Sequence, residues 1–404
     1  MAESRGNVVR LRGVPVFYWP TIATNLEEPT FYVDRIRIGT DGVFGNQLMA
    51  DWDLYELFGI SEAPAGTDWL LSTDYLSDRG FGYGTTLEYD RRELFGFDGP
   101  ARGLLDYWAI RDGGLDNVGL GRRTLVPEER YRFYLSGHHR QRLANGWEVT
   151  GESGYVSDRT FLEQYFEQQW DQRKSPRTGL RAKRLADNRE LSIEANGRVN
   201  NFFSETQWLP RADHYWLGGS FLGDRLTWYS HSQAAYASLK NSFPPSDPEY
   251  RWAQLPWEVG AGQKGERLAT RHEIDFPLQL GALKVVPFGL GELAQWGEAL
   301  DGDRLQRGYV NAGVRTSLPM WATFPNVQDA LFNLNGLAHK VVFDATFSYA
   351  DANRNYDELP LYDPLDDTNI VEFRRRLFNP TLDPTITDLK FDPRTYAIRS
   401  GLQG

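Results

Sequence analysis

Few residues in this chain could do chemistry, and each has a simpler reading beside it. His138 and His139 look like a metal pair, but neighbours on a strand point to opposite faces and cannot share one ion. Asp363, Asp366 and Asp367 could offer carboxylates to a divalent cation; their spacing does not fit a calcium loop, and a solvated acidic loop explains them. The GFGYG run at Gly80, Phe81, Gly82, Tyr83 and Gly84 lacks the following helix pattern that a phosphate cradle requires. Arg122 and Arg123, with Arg374, Arg375 and Arg376, could grip lipid phosphates in a bidentate way or serve as ordinary loop charges. Carboxylates near Trp residues invite a glycosidase reading, yet no flanking pair stands out. The expectation is no catalytic residue, no metal ligand, no cofactor and no enzyme.

The elements that would position any of these groups are strands. Thirteen Trp, 20 Tyr and 23 Phe beside 39 Gly make a β-rich profile with many turns. No run is long and apolar enough for a membrane helix, but barrel strands need only about 9 to 11 residues with every second one facing lipid. The net charge of -11 argues against a nucleic-acid binder, and the absence of Cys excludes structural disulfides and thiolate metal sites. The first residues, MAESRGNVVRLR, lack the apolar core of a signal peptide, which suggests a fragment of a longer exported protein or a misassigned start.

Period-two alternation recurs. Across residues 189–201, Leu191, Ile193, Ala195, Gly197 and Val199 share one face, and Ser192, Glu194, Asn196, Arg198 and Asn200 the other. Across residues 308–320, Val310, Ala312, Val314, Thr316, Leu318 and Met320 alternate with Asn311, Arg315 and Ser317. Val341, Phe343, Ala345, Phe347 and Tyr349 repeat the pattern, as do Tyr131, Phe133 and Leu135. Asn145-Gly146 joins that last run to the one starting at Trp147 and predicts a hairpin, because both residues tolerate positive φ. Further hairpins are expected at residues 186–188 and at Gly223-Asp224. Trp208, Tyr215, Trp216, Trp228 and Tyr229 read either as an interfacial girdle or as a soluble core. Residues 161–172 have helical spacing or form a polar loop, and residues 299–307 are a second candidate loop. Polar loops are expected at residues 241–249, 353–369 and 378–392.

Several segments resemble, in order, the LptD family of lipopolysaccharide-assembly proteins, also called organic-solvent-tolerance (OstA) proteins. GVPVFYWP at residues 13–20 is similar to the run where the family's periplasmic jellyroll meets its barrel. Residues 35–44 and DYLSDRG at 74–80 resemble its first strands and an early hairpin. GYVSDRTFLEQYF at 154–166 is the most specific match. HEIDFPLQL at 272–280 with Pro287, then GLAHKVVFDATFSYADA at 336–352 and YDPLDDTN at 362–369, continue it; Asp344 or its neighbour stands where the family often has Pro.

The resemblance implies an all-β fold, an antiparallel meander forming a large, incomplete outer-membrane β-barrel. Residues 1–30 would be the end of a periplasmic jellyroll with its linker, and residues 31–404 the barrel portion, with C-terminal strands missing and two open sheet edges. The implied function is insertion of a lipopolysaccharide-like lipid into the outer leaflet of the cell outer membrane, its saccharide in the lumen and its acyl chains leaving through a lateral seam. A lipoprotein plug and periplasmic bridge proteins are the implied partners. The family's seam prolines are absent, since no Pro lies between Pro29 and Pro64; Gly39, Gly42 and Gly45 would loosen the ladder instead. The expected seam strands carry Ile36, Ile38, Leu48 and Ala50 as well, within residues 33–54. The expected lumen residues are Glu194, Asn196, Arg198, Asn311 and Arg315. The competing readings are a soluble carbohydrate-binding or carbohydrate-cleaving β-protein and a passive porin.

Overall fold

The computed structural model describes residues 2–11, 14–24, 32–60, 62–118, 123–171, 177–244, 262–354, 358–360, 362 and 395–403. Asp363, Asp366, Asp367, Arg122, the Arg374 to Arg376 triplet and the loop at 378–392 lie outside these residues, as do most of the loops expected at 241–249 and 353–369.

Strands β1 (Ala2–Leu11) and β2 (Val14–Thr24) pair with each other in a two-stranded sheet. All other strands form one antiparallel meander. They are β3 (Val33–Asp41), β4 (Gly45–Asp53), β5 (Thr67–Leu76), β6 (Gly80–Leu94), β7 (Phe97–Arg111), β8 (Tyr131–Arg142), β9 (Trp147–Val156), β10 (Gly179–Ala186), β11 (Arg189–Asn196), β12 (Glu205–Phe221), β13 (Leu226–Lys240), β14 (Lys264–Asp275), β15 (Leu278–Leu280), β16 (Leu283–Trp296), β17 (Leu305–Asp329), β18 (Leu334–Ala352) and β19 (Thr395–Gln403). β14 and β15 both pair with β16, as two pieces of one interrupted strand, so the sheet has 16 strands. The described residues are about 68% strand and 6% helix. Among the described residues no helix is long and apolar enough to cross a membrane.

Each strand follows its sequence neighbour because the connections at one rim are tight. At Asn145 (φ 58°) and Gly146 (φ 76°), at Asp187 (φ 50°), and at Leu222, Gly223 and Asp224 the chain takes left-handed conformations that reverse it within a few residues. Residues 54–66 are the longer exception at this rim and carry helix α1 (Leu54–Leu57), whose first turn is capped by Asp53. The opposite rim bears the long connections, at 112–130, 157–178, 241–263 and 353–394. Connection 157–178 contains the short helices α2 (Phe161–Tyr165) and α3 (Glu167–Asp171), where helical spacing was expected.

Register fixes which side chains share a face, and the faces are inverted relative to a soluble protein. On β11, Leu191 and Ile193 are exposed while Ser192 and Asn196 are buried. On β17, Val310 is 56% exposed and Asn311 5%. The outer face also carries Ile36, Ile38, Leu48, Phe81, Tyr83, Leu105, Leu180, Leu293, Phe343 and Phe347, all exposed. The sheet thus has an ionic inner face and an apolar outer face.

Three expectations are corrected. β11 ends at Asn196, not Asn201: the Asn196 side chain accepts from the Trp208 N–H and donates to the Thr206 carbonyl, replacing the backbone ladder there. Arg198 and Val199 therefore sit in a loop. Trp208 is buried in the inner core with Trp296, Leu305 and Tyr362, and Tyr215 stacks on His231 inside, so of the expected girdle Trp216 and Trp228 alone face outward. Finally, the glycines do not open the β3–β4 ladder: Gly39 pairs with Gln47, Gly45 pairs with Asp41 at φ 69°, and Gly42 lies in the turn.

Candidate functional site

Two features could carry function: the inner face and the junction of the first and last strands. The strand order brings β19 round beside β3, yet among the described residues no register of paired residues joins them, and there the sheet is not closed by hydrogen bonds. Every other pair of neighbours has one. Among the described residues β3 has a registered ladder with β4 alone. Ile36 and Ile38 on β3 lie opposite Ala50 and Leu48 on β4, and all four share the outer face. Ile38 is 76% exposed. On the inner face Arg37 contacts Asp51 at 3.5 Å.

The inner face is a continuous field of paired charges. Glu148 meets Arg140 at 2.6 Å and Lys183 at 3.1 Å. Asp213 is held by Arg211 at 2.7 Å, by His231 at 2.8 Å and by the Gln233 amide at 2.9 Å. Arg315 spans Glu273 at 2.7 Å and Asp275 at 3.2 Å. Of the expected lumen residues, Glu194, Asn196, Asn311 and Arg315 are on this face; Arg198 instead donates to loop carbonyls, that of Asn241 at 2.6 Å among them. Two cavities of about 280 Å³ and 210 Å³ open there, sharing Glu152 and Arg177 in their linings. Such a wall offers fixed donors and acceptors to a hydrated polar solute. His138 and His139 fall on opposite faces, His139 bonding the Tyr89 hydroxyl at 2.5 Å, and among the described residues no group of three or more acidic, His or Cys side chains could hold a metal.

At the long-loop rim the chain seals part of the interior. Arg132, fully buried, donates to Asp112 at 2.9 Å, Asp116 at 2.6 Å and Asp158 at 2.8 Å. Arg79 reaches Asp112 at 3.2 Å and Asp116 at 3.3 Å, and Thr160 bonds Asp116 and Asp158. The segment at 154–166 supplies much of this knot. Asp158 anchors Arg132, Phe161 and Leu162 pack on Tyr134 and Val156, and the Tyr165 hydroxyl donates to Asp112 at 2.7 Å. Burial pushes the Asp112 carboxyl up, but the Tyr165 hydroxyl, the Gly114 N–H and the two guanidiniums outweigh it and hold the group below the usual carboxylate range. Burial, then the Asp112 charge, raises the Tyr165 phenol. The segments at 74–80 and 154–166 that the sequence marked supply Arg79 and Asp158 to this knot, whereas Asp112 and Asp116 lie outside any segment it marked, and no local motif joins the four to Arg132.

Searches against protein-family models and against curated proteins find no match for this chain.

Proposed function

We propose that this chain is the barrel portion of an outer-membrane assembly protein that passes a lipopolysaccharide-like lipid to the outer leaflet. In this reading the saccharide occupies the ionic interior while the acyl chains leave between β3 and β19. The observation that carries it is the unregistered junction in an otherwise continuous, inside-out sheet. Parting two laddered strands would break a row of backbone hydrogen bonds in lipid, whereas opening a junction without a registered ladder breaks no such row and needs only new cover for edge groups already lacking strand partners. The lipid class is inferred from the resemblance of ordered segments, above all residues 154–166, to the LptD family. A lipoprotein plug and a periplasmic bridge are the partners this reading requires. A soluble carbohydrate-binding protein fits poorly with so many exposed Leu, Ile and Phe side chains on one face.

Photo-crosslinking tests the proposal in proteoliposomes loaded with lipopolysaccharide. A photoreactive residue at Ile38 or Glu194 should capture the lipid, and one at Ile193 on the continuous outer wall should not. Absence of capture at Ile38, together with steady ion conductance in a planar bilayer, would replace this reading with a passive porin.

A further inference from the structure

The outer wall is apolar almost everywhere at mid-height, with one exception. On β12, β13 and β14 the outward positions are His214, Ser230, Ser232, Thr270 and His272. Register makes them a contiguous island, His214 opposite Ser232, Ser232 opposite Thr270, and Ser230 opposite His272. Their alternation partners Asp213, His231, Gln233 and Arg271 carry the inner ionic field, so the island is not a register error. Polar side chains on a lipid-facing wall are unfavourable unless something other than lipid covers them.

The island's hydrogen bonds have a direction. The Trp228 indole N–H donates to Nδ1 of His272 at 3.2 Å, which leaves the proton of the neutral ring on Nε2. Nε2 lies 3.0 Å from the Thr270 hydroxyl, and that hydroxyl lies 2.9 Å from Ser232 Oγ. If each group donates to the next, the chain ends with the Ser232 hydroxyl hydrogen, beside the exposed imidazole of His214. A donor and an acceptor side by side are what an isologous contact needs, because a twofold axis pairs residue i with j and j with i.

From this complementarity we infer that the β12–β14 wall is the contact surface for a second copy of this chain, inserted the same way up about a twofold axis along the membrane normal. Ser232 of each copy donates to His214 of the other, and the flanking Trp216 and Trp228 close the apolar margin. Neutral hydroxyls and imidazoles suit this face, since a charged island would repel its own image. The inference requires the wall to lie in a bilayer and is otherwise independent of what the interior carries.

The chain has no Cys, so single reporters are unambiguous. Ala234, outward, exposed and adjacent to the island, becomes the reporter as Ala234→Cys; Leu105→Cys marks the apolar wall on β7. In proteoliposomes a short bis-maleimide should yield a covalent dimer from Ala234→Cys and none from Leu105→Cys. Adding His214→Leu should cut that dimer yield about 10-fold while the protein stays folded, as judged by heat-modifiable mobility. Equal crosslinking at both positions, or none at either, overturns the dimer while leaving the membrane reading intact. Rapid labelling of both cysteines by a water-soluble maleimide overturns the membrane reading and the dimer with it.

Discussion

The walls on either side of the first long connection behave differently from the junction of β3 and β19. From β5 to β9 the sheet is bound three ways: by continuous ladders, by the aromatic cluster of Trp108, Tyr134, Phe161, Tyr165 and Phe166, and by the buried Arg132 knot. At the junction β3 has one ladder, exposed isoleucines and a half-exposed Arg37. The same residue types thus serve opposite ends. Arginine fastens loops where water is excluded and merely lines a wall where it is not. If the protein opens along one edge, as proposed, it gains from having its stability concentrated away from that edge.

The contrast is broken most severely at Arg132. Arg132→Met should destabilise the barrel by about 3–5 kcal/mol, because Asp112, Asp116 and Asp158 would remain buried without compensation. Urea unfolding from lipid vesicles measures it. Phe161→Ala, which empties a fully buried site in the aromatic cluster, should cost about 3 kcal/mol in the same assay. Ile38→Arg should cost about 2 kcal/mol in a bilayer if β3 faces lipid, and close to nothing if the wall faces water. Acidification also loosens the knot. The folded Asp112 carboxyl titrates below its unfolded counterpart, so its contribution is complete above the unfolded value and is lost as pH falls through the folded one. Protease cleavage within residues 157–178 should therefore begin below the usual carboxylate range, and Asp112→Asn should abolish that pH dependence. The smallest effect is expected at Arg37→Ala, under about 1 kcal/mol, since its contact with Asp51 is partly in solvent.

Much of the fold was legible in the sequence because alternation and turn chemistry are local. The runs at Val310 and Val341 and the Asn145-Gly146 turn led directly to β17, β18 and the β8–β9 hairpin. Alternation failed where something non-local intervened. The Asn196 side chain ended β11, and the register shift between Trp208 and Arg211 kept Trp208 on the inner face. The candidate site was less legible. Glu194, Asn196, Asn311 and Arg315 follow from strand parity, but the Arg132 knot joins groups on separate connections, and the polar island of β12–β14 emerges only when three strands are laid side by side. The glycines of β3 and β4 could not be placed from sequence because their position depends on register, which pairs Gly39 with Gln47 and sets Gly42 and Gly45 at the turn.

Hydrogen exchange of the backbone amides in lipid nanodiscs tests the contrast most directly. The account predicts rapid exchange along β3 at residues 33–41 and slow exchange along β8 at residues 131–142. Equal, strong protection of both strands would mean that β3 is laddered on both sides, and would contradict the seam.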